Sequence, residues 1–391
     1  LFLIQGPPGT GKTSAVLRSI IAHLRKDPSE RVVAVAFTNR AANEISEVLS
    51  RHGIEHVRHG SVEGTSGDVS IPRLAQQMSA HELARRIAAA PVVVATIQSV
   101  YTSPEIWQFG NFTTAVIDEA SQVLEPPLLG IMARVRRSIL IGDHCQLPAV
   151  VTLPPTMVEV DHPALASIGL TSLAMSSFER LLRCAEQRGD ASCTAMLTGQ
   201  GRMHADVMAV ASDAFYDGRL EVLRPEQRSA QPLPWHTFIP TRVAAIDIRG
   251  GAAQAKAEAA CIVDLTVRLI RAGRDAGHTP TVGIISPFRA QNTSILHLLP
   301  EDLRSEVTVD TVERFQGSER DVIIYGCAVS TEQELRGIVS ETTVHGRVVD
   351  RKLNVALTRA RDQFILVGNT EVLSRSASYE RVLSLLPRVH Q

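Results

Sequence analysis

Residues 6–13 read GPPGTGKT and fill the pattern G-x-x-x-x-G-K-[ST] at each fixed position. Glycines let a backbone wrap closely around phosphate oxygens. A helix opening directly after them offers unpaired N–H groups and the positive end of its dipole. In such a loop Gly6, Pro7, Pro8, Gly9, Thr10 and Gly11 form the cradle. Lys12 pairs with the β- and γ-phosphates, and the Thr13 hydroxyl ligates Mg2+. Only four residues of the chain are lysines, at positions 12, 26, 256 and 352, so a lysine in this place is not a by-product of composition. A plain Gly-Pro turn is the competing reading, and it leaves the flanking strand and helix patterns unexplained.

A second constellation follows at residues 115–121, AVIDEAS. An apolar run ends in Asp118, which would hold Mg2+ directly or through water. Glu119, next to it, can take a proton from an attacking water. Alone, an Asp-Glu pair is a solvated strand end; after a phosphate loop it reads as the catalytic acid pair. Residues 140–150, LIGDHCQLPAV, put Gln146 just past another strand, where it can sense a γ-phosphate. His144 and Cys145 beside it read as packing and hydrogen-bonding groups.

These groups need a scaffold that delivers them to one edge. Short β-branched runs at 1–4, 32–37, 92–96, 115–118 and 139–142 alternate with helical patterns such as 12–26 and 40–51. This alternation predicts a parallel sheet covered on both faces, with ligands at the carboxyl ends of its strands. Residues 52–75 are rich in Gly, Ser and His and read as a surface insertion, extending to about residue 90. Residues 151–168 read as a long loop, and 176–187 as a helix that closes the first half. After an irregular, proline-bearing stretch at 224–240 the alternation resumes. Strands are expected at 243–248, 281–286, 307–311, 321–327 and 364–368, and helices at 253–272, 289–298 and 354–361. The fold class expected is therefore α/β, with two tandem P-loop-type units divided at residues 1–188 and 189–391.

The bulk numbers are those of an ordinary globular chain: 391 residues, 44% hydrophobic, 21% charged, with a net charge of −1. No apolar run is long enough to span a membrane. The net charge shows no global preference for nucleic acid, yet leaves room for a local basic groove. Five cysteines with no CxxC pair argue against a structural zinc or a disulfide framework. A reducing, cytoplasmic setting is expected, and the Arg- and Ala-rich composition reads as that of a bacterial genome. The chain opens inside an apolar run without an initiator methionine, so further domains upstream are expected. No oligomer is implied.

Two stretches of the second half carry charge in a pattern. TVDTVERFQGSERDVII (308–324) joins a strand to a Gln-Gly turn flanked by acids, and RKLNVALTRARDQFILVGN (351–369) places Arg359 and Arg361 before a strand. Read alone, either is a solvated charged face. Together with GPPGTGKT, GDHCQLP and TGQGRMH, in this order along the chain, they resemble the superfamily 1B helicases. The branch in question includes the nonsense-mediated-decay helicase and the Okazaki-fragment nuclease-helicase. The resemblance implies two RecA-like domains that bind ATP and Mg2+ between them and drive 5′ to 3′ movement along single-stranded DNA or RNA. Lys12, Thr13, Asp118, Glu119 and Gln146 match the family's nucleotide groups. Arg202 and Arg359 match its γ-phosphate arginines. Glu319 matches a ribose contact, with Gln316 and Gly317 shaping the turn. For the strand the resemblance implies Thr38, Asn39, Thr96, Pro287, Phe288 and Thr311, which hold phosphates or stack on a base without reading sequence. The competing readings are helix capping for the hydroxyl and amide groups and core packing for Phe288.

The chain departs from the family at Gly201, where a tyrosine that stacks on adenine is usual, and at Ala205, where a proline is usual. The family's upstream glutamine that reads the adenine edge is also outside this chain. Weaker or less base-selective nucleotide binding is the expectation. A second reading of the whole is a nucleotide-gated ATPase that remodels nucleic acid or protein without processive unwinding.

Overall fold

The computed structural model describes residues 1–60, 69–235 and 239–389, with the backbone alone at residue 155. Residues 61–68 of the expected insertion and 236–238 of the proline-bearing stretch lie outside the described residues. The chain divides into two compact units: Leu1–His144 with Pro148–Leu197, and Cys145–Leu147 with Thr198–Gln391.

The first unit is built on seven strands: β1 (Phe2–Gln5), β2 (Val32–Ala36), β3 (Val57–His59), β4 (Val92–Thr96), β5 (Thr114–Ile117), β6 (Arg137–Gly142) and β7 (Thr194–Met196). They pair in parallel in the order β3-β4-β2-β5-β6-β1-β7. Their residues alternate between two cores. Val33, Val35, Val93, Ala115 and Ile117 belong to one buried cluster. Val32, Ala34, Val92, Val94 and Val116 belong to the other. A strand buried on both faces has no polar side to show, so its sequence is continuous valine and alanine rather than an alternation. Burying each of these larger side chains contributes roughly 1.5–3 kcal/mol.

The five strands expected here are β1, β2, β4, β5 and β6. β3 and β7 have only three residues each, too short for a periodic signal. β3 is nevertheless integral. It pairs with β4, and its central residue Arg58 is fully buried, so residues 57–59 are a sheet edge and not part of a surface insertion. The segment 151–168 carries two short helices, Pro155–Val158 and Pro163–Ser167. Each opens on a proline, whose fixed φ and missing N–H suit a first helical turn.

The second unit holds β8 (Gly199–Gln200), β9 (Glu221–Val222), β10 (Val243–Asp247), β11 (Val282–Ile285), β12 (Val307–Asp310), β13 (Arg320–Gly326), β14 (Glu341–Val344), β15 (Arg347–Asp350), β16 (Ala360–Gly368) and β17 (Arg388–Val389). Six of these form a parallel sheet in the order β12-β11-β13-β16-β10-β17, while β14 and β15 form a separate antiparallel hairpin. Ala244, Ile246, Ile284, Ile324 and Ile365 share one buried cluster with the helix Gln254–Asp275. Two parallel sheets flanked by helices give the α/β class with two RecA-like units.

One boundary differs with consequences for the site. The helix expected at 354–361 runs from Arg351 to Leu357. The Asp350 carboxylate caps it by accepting from Leu353 N at 2.7 Å, and an N-cap aspartate starts a helix earlier than hydrophobic spacing alone indicates. Arg359 therefore lies in the turn after the helix, and Arg361 lies on β16.

Inside this unit Glu258 is fully buried on the long helix. Its carboxylate accepts from Gln254 Nε2 at 2.6 Å and from Ala328 N at 2.6 Å. Burial pushes its pKa up from 4.5 to about 7. Between those values the folded chain holds a proton that the unfolded chain releases, so stability falls as pH rises and the loss is complete above about 7. The span is on the order of 3 kcal/mol. The melting midpoint is expected to drop across pH 5–8.5 by roughly 6–12 °C more in the native protein than in a Glu258→Gln variant. Parallel curves for the two proteins in a calorimetric pH series are the result that sinks this.

Candidate functional site

In the first unit the loop after β1 leads into a helix whose first turns, Lys12–Leu17, are widened: Val16 N donates to Gly11 O at 3.0 Å, five residues back. Gly9 and Gly11 have φ of 77° and 73°. At Gly6 the need for glycine is steric, because a Cβ there would lie 2.4 Å from Lys12 Cγ and Cδ. The lysine stem thus lies across the bare backbone of Gly6. Its Nζ donates to Gly6 O at 2.8 Å and stands 3.7 Å from Glu119 Oε1.

β1, β6 and β5 are consecutive in the sheet, so the loop after β1 and the acids after β5 share the carboxyl edge. Thr13 Oγ1 donates to Asp118 Oδ2 at 2.6 Å. Asp118 is 1% exposed. Burial, and then the neighbouring Glu119 charge, raise its pKa to about 6, while Thr13 and Lys12 oppose the rise. A hydroxyl and a carboxylate this close are a hard-oxygen pair suited to Mg2+, and a cation there would relieve the cost of the buried charge. Glu119 has φ of 52°, a left-handed conformation that costs a non-glycine residue about 1 kcal/mol or more. The turn aims its carboxylate back toward Lys12, and Gln122 Nε2 donates to it at 3.1 Å.

A separate cleft of about 480 Å3 opens in this unit between Asn39, His59, Thr96, Gln98 and Ser99. Thr38 Oγ1 accepts from Ala41 N at 3.1 Å, and Thr96 Oγ1 accepts from Ser99 N at 3.0 Å. Both hydroxyls thus cap helices, and Thr96 is buried. Asn39 Oδ1 accepts from Arg58 Nη2 at 3.1 Å. Arg58, which sequence reasoning passed over inside the expected insertion, thus holds the Asn39 side chain. Burial lowers the Arg58 pKa to about 10. An arginine on a three-residue strand gives no periodic signal by which to find it.

In the second unit Arg202 is held on three sides. Its Nε donates to Glu319 Oε2 at 2.6 Å, its Nη1 to Thr358 O at 3.2 Å, and Gln200 Oε1 accepts from its backbone N at 2.9 Å. Arg359 is 2% exposed, and its Nε donates to Val355 O at 3.1 Å and its Nη2 to Thr358 Oγ1 at 3.3 Å. The two arginines therefore converge on Thr358, one on its carbonyl and one on its hydroxyl. Arg361 pairs with Asp321 at 2.8 Å and stands 3.7 Å from Glu319. Gly317 has φ of 80°, and Gln316 Nε2 is buried without a hydrogen-bond partner among the described residues. Gln146 is buried, in the short segment that groups with this unit. Asn354 Nδ2 donates to the adjacent Cys145 carbonyl at 2.7 Å, and Cys145 Sγ donates weakly to Phe215 O at 3.6 Å. Pro287, Phe288 and Thr311 follow β11 and β12 at their carboxyl ends and are partly exposed; Phe288 and Thr311 each precede a helix.

Comparison with known proteins fits this arrangement. A family described as an AAA domain matches residues 173–371, just over half of the chain, and another of the same description matches 1–89 and 70–153. The chain is 28% identical over 433 residues to the Regulator of nonsense transcripts 1 homolog of Arabidopsis thaliana, covering 98% of this chain and 32% of that protein. It is 26% identical over 421 residues to the DNA replication ATP-dependent helicase/nuclease DNA2 of Bos taurus, covering 98% and 37%. It thus spans about a third of the length of the curated relatives it matches. These relatives are eukaryotic and give no support to the bacterial setting expected from composition. Among solved structures, the arterivirus nonstructural protein 10 helicase aligns at a TM-score of 0.47 and 14% identity over 98% of this chain and 61% of that one, a likeness too distant to add to the fold described above. Among the described residues no helix is long and apolar enough to cross a membrane. With the AAA-domain match over half its length and the motifs in family order, the chain belongs to the superfamily 1B helicases.

Proposed function

We propose that the chain hydrolyses ATP with Mg2+ and uses the turnover to move along single-stranded DNA or RNA, 5′ to 3′. The observation that carries this reading is the 2.6 Å contact of Thr13 with the buried Asp118, beside a lysine and a glutamate 3.7 Å apart. Gly6, Pro7, Pro8, Gly9, Thr10 and Gly11 cradle the phosphates, and Lys12 neutralises the oxygens of the transferred group. Thr13 and Asp118 would hold the metal, which would supply positive charge to the β- and γ-phosphates. Glu119 accepts the proton of the attacking water, and Gln146 orients that water against the γ-phosphate.

The second unit contributes Arg202 and Arg359, whose charge stabilises the transferring phosphoryl group. Glu319 binds the ribose, with Gln316 and Gly317 forming its turn. Thr38, Asn39, Thr96, Pro287, Phe288 and Thr311 line the path of the strand. The caps use hydroxyl lone pairs, so the Thr38 O–H and backbone N–H groups remain as the donors to phosphate there. We place this activity in a reducing, cytoplasmic setting. The test is phosphate release with and without single-stranded oligonucleotides, followed by displacement of an annealed strand. Stimulation of about tenfold or more with displacement is expected. Strand-independent turnover without displacement would instead favour a nucleotide-gated remodelling ATPase.

A further inference from the structure

The cleft in the first unit has a buried cation behind its wall. β3, β4 and β2 are neighbours in the sheet and end at His59, Thr96 and Ala36. The cleft of about 480 Å3 opens at this carboxyl edge, where open α/β sheets place their ligands. None of the described residues that line it is an aspartate or a glutamate. Arg58 is fully buried beside it. Its Nη2 donates to Asn39 Oδ1 at 3.1 Å, its Nε to Asn43 Oδ1 at 3.3 Å, and its Nη1 to the His59 carbonyl. All three acceptors are neutral, and among the described residues no carboxylate pairs with the guanidinium. Burial lowers its pKa only to about 10, so it keeps its charge at neutral pH.

Three oxygens satisfy the donors and leave the charge uncompensated, which is a costly state out of water. A hydrophobic residue would fill the same space without that cost. The guanidinium also lies close behind the cleft. Gly60, which lines it, has φ of 106°, and a Cβ there would sit 2.7 Å from Ser99 Cβ and 3.5 Å from Arg58 Nη1. Only bare backbone therefore stands between the charge and the cavity at this point. Arginine has donors and no acceptor, so the Asn39 atom that meets it must be the oxygen, and the amide nitrogen is turned the other way. A cation on the oxygen side polarises the amide and strengthens its N–H groups as donors. In a low-dielectric wall the field of such a charge reaches an anion in the cavity with little screening.

We propose that this cleft is an anion subsite for one backbone phosphate of a single strand, charged from behind by Arg58, which also fixes the Asn39 amide at its wall. This rests on the reading of the chain as one that moves along a single strand; the place of the anion follows from the cleft and the buried charge. Arg58 is thus a positioning residue that also supplies field. It meets no base edge, so the subsite holds every sequence alike.

The test is fluorescence anisotropy of a labelled oligothymidylate across a series of salt concentrations. Arg58→Met removes the charge and keeps the bulk. It should weaken binding about five- to twentyfold at low salt and reduce the slope of log affinity against log salt by roughly 0.7–1. Arg58→Lys should keep the slope and recover only part of the affinity, since a point charge cannot hold Asn39, Asn43 and the His59 carbonyl together. A second variant avoids the buried position. Gln98 is exposed, lines the cleft and stands in the first turn of the helix Ile97–Thr102, where an acid suits the helix dipole. Gln98→Glu should melt with the native protein and bind the oligonucleotide at least about threefold more weakly. Gln76→Glu adds the same charge at an exposed position of the helix Ile71–Gln77, outside the cleft, and should not. An unchanged salt slope in folded Arg58→Met overturns the proposal, and so do equal effects of the two glutamates. A melting shift with inorganic phosphate that disappears in Arg58→Met, with oligonucleotide binding unaltered, would make free phosphate the ligand and overturn the strand as its source. A native protein that binds no single strand would instead remove the reading on which the proposal rests.

Discussion

Replacing Lys12 with alanine is expected to abolish ATP turnover, with kcat/KM down by at least about a hundredfold. The lysine ammonium stands 2.8 Å from the Gly6 carbonyl and 3.7 Å from the Glu119 carboxylate. It is therefore poised between the phosphate loop and the proposed general base. Alanine removes the charge proposed to neutralise the γ-phosphate oxygens and empties the space above Gly6 where the lysine stem lies. Glu119 also loses its nearby cation. The fold should lose little. Lys12 is 12% exposed on its side chain and its pair with Glu119 is long, so its net contribution to stability is about 1 kcal/mol or less. A melting midpoint within a few degrees of the native protein, together with lost phosphate release, is the expected pair of readings. Hydrolysis within about threefold of native would refute the assignment of the phosphate site.

The phosphate loop was legible because its chemistry fixes spacing. Gly6 must be bare where Lys12 crosses it, and Thr13 must follow at once to meet Asp118. The acid pair was legible because it ends a wholly apolar strand, which a buried parallel sheet requires. The same logic exposed β2, β4, β10 and β11. It failed where elements are short. Arg58 on β3 is invisible in a Gly-, Ser- and His-rich stretch, although it holds Asn39 by a hydrogen bond of 3.1 Å. The strand β16 begins at Ala360, earlier than the run FILVG suggests, because the polar residues Arg361, Asp362 and Gln363 stand between Ala360 and that run. Thr358 escaped for another reason: its carbonyl and its hydroxyl gather Arg202 and Arg359 through contacts that no sequence period encodes.

The second large effect is expected at Arg202. Its Nε donates to Glu319 at 2.6 Å and its Nη1 to the Thr358 carbonyl at 3.2 Å, so its position is set by groups that do not themselves carry the reaction. If it supplies charge to the transferring phosphoryl group, Arg202→Ala should lower kcat by ~10²–10³. If Arg359 shares that task, the double variant should lose less than the product of the two single losses. Arg202→Lys should recover little. A lysine cannot keep the Thr358 and Glu319 contacts with one nitrogen while offering another to the phosphate, and its charge is a point rather than a fork. The structural cost is again small. Glu319 is 40% exposed on its side chain, so water replaces the lost partner and the pair contributes about 1 kcal/mol or less. A purely structural arginine would behave in the opposite way, lowering the melting midpoint while the surviving folded protein kept its kcat. Single-turnover phosphate release at saturating ATP, measured beside a thermal melt, separates the two. A kcat within about threefold of native in Arg202→Ala removes the arginine from the reaction and leaves it a brace between Glu319 and Thr358.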